Sequence, residues 1–341
     1  MLHVTRRLRM VPGFLLLAAA LTVGGEGTIE IPVLDGDWWR IAADRPDVAP
    51  YRYQQKHQNV CDFTVFLDAR GTWHCIACVR NTTHPGGTRL FHEWTSDDIT
   101  KSNWTPRGIV KWPRNATRHK PGGEHSLQAP HCFVHDGSYY CFYNSGPARA
   151  MKSGDGIQWS VFRNTAGSEI IFEMGRDVML FRDEARGRWL AYYCGAYGGK
   201  GAMVARTAPA LAGPWSETEI PVRTDGNPES PFVLQRGSRY YLFQQMAVYA
   251  SERPDRFAGD PVTHMTGIWY NGRYAPEVVV HEGQYYLAGY SRGLWVARMK
   301  WEERSPAEID AWRKTKLAEL RRLRAEARAR RERREREQKK P

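Results

Sequence analysis

Glu229-Ser-Pro-Phe-Val-Leu-Gln-Arg-Gly-Ser-Arg-Tyr-Tyr-Leu-Phe243 holds the pattern that decides the fold. An apolar run, Phe232–Leu234, leads through a glycine turn into an aromatic-rich run, which is how a β-hairpin reads in sequence. The same unit returns four more times. Its second halves are Gly71-Thr-Trp-His-Cys-Ile-Ala-Cys78, Gly137-Ser-Tyr-Tyr-Cys-Phe-Tyr143, Gly187-Arg-Trp-Leu-Ala-Tyr-Tyr193 and Gly283-Gln-Tyr-Tyr-Leu-Ala-Gly-Tyr290. Its first halves are Phe63–Leu67, Cys132–Val134, Val178–Phe181 and Val278–Val280. Internal repetition at a near-constant spacing marks a repeat architecture.

A second unit follows several hairpins: a strand, a polar turn, then Trp or Phe. Examples are Glu93–Trp104, Ala150–Trp159, Val204–Trp215 and Val248–Phe257. Four strands per repeat and five repeats of roughly 45 to 65 residues describe an all-β, five-bladed β-propeller. A β-sandwich is the alternative, but it leaves the recurrence unexplained. No βαβ alternation or dinucleotide fingerprint is present.

The two ends of the 341-residue chain are different in kind. Arg6, Arg7 and Arg9 precede an apolar run, Phe14 to Val23, and small residues Gly24 and Gly25. This pattern predicts an export signal over residues 1–25, too short to span a bilayer as a mature helix, with an uncleaved anchor as the alternative. At the other end, Ser305-Pro306-Ala307-Glu308 predicts a helix start, with Ser at the N-cap, Pro at N1 and Glu at N3. Ile309, Trp312, Leu317, Leu320 and Leu323 form one apolar stripe, which predicts a basic tail over 305–341 docked for two or three turns and fraying beyond. The propeller is left with residues 26–304.

The net charge of +12 suggests nucleic acid until it is divided. The leading arginines supply +3 and the tail +7, so the residues between carry only +2. The charge sits on the ends and the tail reads as a solvated charge run, with an anionic envelope surface as a second reading. Six cysteines, Cys61, Cys75, Cys78, Cys132, Cys141 and Cys194, permit disulfides in an exported chain. Cys75 and Cys78 have no second such pair and no following His pair, which argues against zinc. Buried thiols or one disulfide are expected.

Three blade beginnings carry acids: Asp62 in Asn59-Val-Cys-Asp62-Phe, Asp177 in Gly175-Arg176-Asp177-Val, and Glu229 in Asn227-Pro-Glu229-Ser-Pro. Each precedes an apolar strand, so all three are expected at the same end of their blades. Any one alone could be a turn or cap residue. Together they suit glycosidic bond cleavage, which needs one protonated and one ionised carboxyl group flanking the bond.

These residues resemble the five-bladed propeller glycosidases, the superfamily of glycoside hydrolase families 43, 62, 32 and 68. The stretch from Glu229 to Phe243 is similar to the family 43 blade that carries the general acid, and Arg176-Asp177 to the Arg-Asp-Pro of family 32. The resemblance spans about residues 55 to 302. It implies an exported hydrolase of O-glycosyl bonds, secreted or periplasmic, with Asp62 as base, Glu229 as acid and Asp177 tuning the acid's pKa. It implies inversion and arabinose- or xylose-containing oligosaccharides. A carbohydrate-binding propeller without turnover and a protein-interaction propeller are the rival readings. Phe63 and Val178 stand where the families carry Pro after the first and third Asp, and the family 32 Asn-Asp-Pro-Asn-Gly is absent. His131, in Ala129-Pro-His131, and Glu277, in Tyr274-Ala-Pro-Glu277, are candidate cavity residues for sugar hydroxyls, with a structural role the alternative for His131. Arg176 is expected to pair with a carboxylate or hold a substrate hydroxyl, and Trp38, Trp39 and Tyr274 to form a stacking platform. No cofactor is expected, although some relatives carry a structural calcium in the central channel. The partner implied is a carbohydrate, with no nucleic acid, no integral membrane segment after signal removal, and a monomeric state.

Overall fold

The computed structural model describes residues 27–52, 58–83, 89–110, 112, 127–226, 228–265 and 274–338. The export-signal reading of residues 1–25 lies outside the described residues. Five antiparallel sheets follow one another along the chain. Two N-terminal strands come first, β1 (Ile29–Leu34) and β2 (Trp39–Ala43). Blade 1 comprises β3 (Asn59–Leu67), β4 (Trp73–Arg80), β5 (Leu90–Ser96) and β6 (Thr105–Ile109). Blade 2 comprises β7 (Gln128–His135), β8 (Ser138–Asn144), β9 (Ala148–Ser153) and β10 (Trp159–Phe162). Blade 3 comprises β11 (Arg176–Asp183), β12 (Arg188–Tyr197), β13 (Lys200–Ala208) and β14 (Ile220–Arg223). Blade 4 comprises β15 (Pro231–Arg236), β16 (Arg239–Gln244), β17 (Ala247–Ser251) and β18 (Thr263–His264). Blade 5 has three C-terminal strands, β19 (Tyr274–His281), β20 (Gln284–Tyr290) and β21 (Gly293–Arg304).

Blade 5 is completed from the other end of the chain. β1 pairs with the second half of β21 (Ile29 opposite Arg304), and β2 with its first half (Trp39 opposite Val296). This joins the two ends of the propeller and leaves no blade short of an outer strand. Every repeated aromatic run is the second strand of its blade, where both faces are covered. Its side chains feed the cores between blades: Tyr143 and Cys141 between blades 1 and 2, Tyr193 and Phe142 between blades 2 and 3, Tyr241 and Phe243 towards blades 3 to 5, and Tyr286 with Trp73 between blades 5 and 1. That is why aromatic residues dominate these runs: the wedge between two twisted sheets needs large, flat apolar volume.

All six cysteines are buried free thiols. Cys61 lies directly opposite Cys78, and Cys132 opposite Cys141.

The helix α1 (Pro306–Gln338) follows the last strand. Its capping box forms as the sequence predicts. The Ser305 amide and hydroxyl both donate to Glu308 Oε2 at 2.8 Å, and the Glu308 amide donates to Ser305 Oγ at 3.3 Å. The apolar stripe is shorter than expected. Ile309 is buried in the blade 3–5 core and Trp312 is half-buried, but Leu317 is 52% exposed. Leu320 and Leu323 have no described side-chain environment. The helix nevertheless continues to Gln338 instead of fraying after the docked turns. Ion pairs one turn apart, Arg322–Glu326, Arg330–Glu326 and Arg328–Glu332, support its exposed length. Among the described residues no helix is long and apolar enough to cross a membrane.

Candidate active site

The first strand of each blade breaks at one equivalent position. Asp62, Ala129, Asp177, Ser230 and Ala275 all have positive φ, between 24° and 63°. In four blades the register shifts there: between Cys61 and Phe63, Gln128 and His131, Arg176 and Met179, and Tyr274 and Glu277. In blade 4 the strand begins immediately after Ser230. A left-handed, non-glycine residue is costly by about 1–3 kcal/mol, and such strain concentrates at functional sites. Each bulge lifts one residue out of the ladder and re-aims it.

The five left-handed positions form a ring. Asp62 and Phe63, Ala129 and Pro130, Asp177 and Val178, Ser230 and Pro231, and Ala275 and Pro276 line one pocket on the propeller axis, with Glu277 beside them. The prolines are tolerated because the innermost strand has one open edge, where no ladder acceptor awaits an N–H. The enclosed volume is about 30 Å³, room for roughly one water.

This ring corrects the expected equivalence of the three acids. Asp62 and Asp177 occupy the bulge itself. Glu229 sits one residue earlier, equivalent to Arg176, Cys61, Gln128 and Tyr274. Ser230 is the left-handed residue of blade 4. The frame was present in the sequence: Ala129-Pro130, Ser230-Pro231 and Ala275-Pro276 align only if Ser230 matches Asp62 and Asp177.

The offset lets one arginine serve two acids. Arg176 Nη1 donates to Asp177 Oδ2 at 2.7 Å, and Nη2 to Glu229 Oε2 at 2.7 Å and to the Pro228 carbonyl at 3.2 Å. Asp177 Oδ2 also accepts from the Ser230 amide at 3.3 Å and the Cys194 thiol at 3.4 Å. The Asp177 amide donates to Asn144 Oδ1 at 3.3 Å, so blade 2 helps to hold it. Arg176 therefore bridges Asp177 and Glu229. Gly175 makes the arrangement possible: a Cβ there would lie 1.9 Å from the Cys194 carbonyl oxygen.

Asp62 has a different environment. Burial, aided by the negative charge of Asp177, pushes its pKa up to about 6, against the opposing pull of Arg80, Arg89 and the Cys61 thiol. Tyr290 is within electrostatic reach of both Asp62 and Glu229, and burial holds its phenol protonated well above the usual range. Its ring packs 5.7 Å from that of Tyr274, which is 37% exposed. Tyr290, Asn144 and Cys194 were not singled out as site residues. Their signal was positional: each is the second-strand residue opposite a residue flanking a bulge.

His131 and Glu277 share the next position along their strands. His131 Nδ1 lies 3.6 Å from Glu277 Oε1, and both ring nitrogens are buried without a hydrogen-bond partner. Burial raises the Glu277 pKa. As donors for calcium they supply one carboxylate and one imidazole, against the six to eight oxygens that ion takes. No cluster of three or more His, Cys, Asp or Glu residues suited to a metal occurs among the described residues. These two residues would supply few of the ligands of such an ion and leave the others to carbonyls and water.

Trp38 and Trp39 do not reach this site. Trp39 opens β2, the outer strand of blade 5, and Trp38 immediately precedes it. Trp38 packs against the core of blades 3 to 5, and Trp39 packs between blades 5 and 1, with its indole N–H donating to the Ile99 carbonyl at 3.0 Å. Of the expected platform, only Tyr274 stands at the mouth.

No protein-family model matches the chain, and no curated protein matches it in sequence. Solved structures do share its fold. An α-L-arabinanase from Cellvibrio cellulosa, complexed with arabinohexaose, is 16% identical over 71% of this chain and 92% of its own, with a TM-score of 0.51. A family 117 glycoside hydrolase from the marine bacterium Zobellia galactanivorans is 13% identical over 78% and 89%, at 0.50. An α-L-arabinofuranosidase from Podospora anserina, in complex with cellotriose, is 14% identical over 77% and 96%, also at 0.50. At these identities the likeness establishes the five-bladed propeller fold.

Proposed function

We propose that this chain is a glycoside hydrolase whose reaction centre is the mouth of the axial pocket. The observation that carries the reading is that Asp62 and Asp177 line one small axial cavity from two blades, while Arg176 ties Asp177 to Glu229 of a third. Fold neighbours acting on arabinose polymers and oligosaccharides support the same chemistry.

In this reading Asp62, ionised above its pKa of about 6, takes a proton from a water attacking the anomeric carbon. Glu229 protonates the departing oxygen. It can do so only after Arg176 releases it, so substrate must compete for the guanidinium through its own hydroxyls. Asp177 holds Arg176 in reach and adds negative charge near the developing oxocarbenium. A water on the base side is the arrangement of an inverting enzyme, in which the carboxyl groups stand about 6.5–9.5 Å apart. Export to a secreted or periplasmic location, a monomeric state and a pentose-containing oligosaccharide complete the reading.

A non-catalytic carbohydrate-binding propeller is the second reading, favoured by the ion pair that engages Glu229 at rest. Turnover of a panel of 4-nitrophenyl glycosides, by wild type and Glu229→Gln, separates the two. Hydrolysis by wild type that drops at least a hundredfold in the variant supports the enzyme. Near-zero rates for both on every substrate, with sugar binding intact, support the binding module.

A further inference from the structure

Behind the blade 1 lining of the pocket, and outside the lining itself, are two guanidinium groups that the proposed hydrolysis does not use. Arg80 ends β4, across the ladder from Asn59 and one turn of strand from Asp62. It is half-buried, and its Nε is shut off from solvent with no hydrogen-bond partner. Among the described residues no carboxylate forms an ion pair with it. Its register partner Asn59 begins the strand that carries Asp62, and its charge is felt by both Asp62 and Tyr290. Arg89, just before β5, also acts on Asp62, and its Nη1 donates to the Gln128 amide oxygen, a neutral acceptor. Gln128 directly precedes the pocket-lining Ala129. Across the axis the balance is opposite, because Arg176 alone offsets two carboxylates. The near-neutral sum of the propeller conceals this local separation of charge.

The buried Nε–H of Arg80 has no acceptor among the described residues, and a buried donor left unmade costs free energy. A ligand bearing an anionic group supplies an acceptor, and the planar fork of arginine matches carboxylate and sulfate oxygens in pairs. We infer that the pocket takes an acidic saccharide, a hexuronate or a sulfated sugar unit, whose anionic group docks on Arg80 with Arg89 beside it. The inference names a ligand class for the site proposed above and rests on that reading only for bond cleavage, not for binding.

Calorimetric titration tests it without turnover. The probes are the methyl glycosides of glucuronate, galacturonate and galactose 6-sulfate, each against its neutral parent. At low salt at least one acidic glycoside should bind about tenfold more tightly than its parent, and the margin should shrink as salt is added. Arg80→Gln should erase the preference and Arg80→Lys keep part of it, since the charge stays but the fork is lost. Whether the carboxylate or the sulfate series responds identifies the anion. Equal binding of acidic and neutral probes, a preference untouched by Arg80→Gln, or no binding of any acidic probe overturns the inference. If Arg80→Gln fails to fold, the wild-type preference, its salt dependence and Arg80→Lys still decide. Acidic binding without hydrolysis of any glycoside would leave this inference standing and remove the hydrolase. Hydrolysis of neutral glycosides with no acidic preference would do the reverse.

Discussion

On the blade 3 and 4 side of the axial pocket, Asp177 and Glu229 share one guanidinium, and Asp177 also accepts from a backbone amide and a thiol. Across the axis Asp62 has no cation in contact among the described residues, only the Cys61 thiol and two arginines at a distance. Both sides are built on the same strand, with the same bulge. The difference arises from one residue: blade 3 places Arg176 before its bulge, where blade 1 places Cys61. Paired acids are held in place and oriented. An unpaired, buried acid is left free to change its protonation state near neutral pH. A hydrolytic site needs both kinds.

The largest expected effect is at Asp62. Asp62→Asn should lower turnover by about a thousandfold, the range of a lost general base. The same change should raise stability at neutral pH. A carboxyl whose pKa is raised on folding is neutral in both states at low pH. As pH rises past about 4 the unfolded chain ionises freely and the folded one resists, so the penalty is complete above about 6. Melting temperatures of wild type and variant should therefore diverge between pH 4 and 6 and converge below it. A variant less stable than wild type at pH 7.5 would break the contrast between the two sides.

Arg176→Lys probes the other side. One ammonium cannot reproduce two separated donors, so Asp177 and Glu229 should drift, and turnover should fall about a hundredfold through misplacement. Thermal stability should change little, because Arg176 is 47% exposed. Gly175→Ala should come next. Its Cβ would collide with the Cys194 carbonyl at 1.9 Å, a backbone atom unable to yield without moving β12. A loss of about 2 kcal/mol in urea unfolding is expected, together with lost activity. The smallest effect is on the tail, where Leu317→Ser should alter stability by less than about 0.5 kcal/mol, as fits a side chain 52% exposed.

The fold was legible because the hairpin repeats are a one-dimensional pattern: an aromatic second strand is required wherever two blades meet. Closure by β1 and β2 was not, since nothing local in Ile29–Leu34 names β21 as its partner. At the site, the sequence places Asp62, Asp177 and Glu229 at blade mouths but not their one-residue offset, which depends on reading Ser230-Pro231 against Ala129-Pro130 and Ala275-Pro276. The bridge by Arg176 depends on a long side chain reaching the next blade, and burial of Asp62 on five blades converging. Neither is a property of a short stretch of chain. Trp38 and Trp39 were misplaced for a related reason: residue type suggested stacking surfaces, while their position at an outer strand commits them to the seams between blades.

The asymmetry of the pocket can be measured without knowing the substrate. Titration of the carboxyl carbons by NMR, with the Asp62 resonance assigned by its disappearance in Asp62→Asn, should give a midpoint at about 6. A midpoint near 3.8, the value of an ordinary aspartate, would mean that Asp62 is neither buried nor set apart from Asp177 and Glu229, and the contrast on which this site is built would not exist.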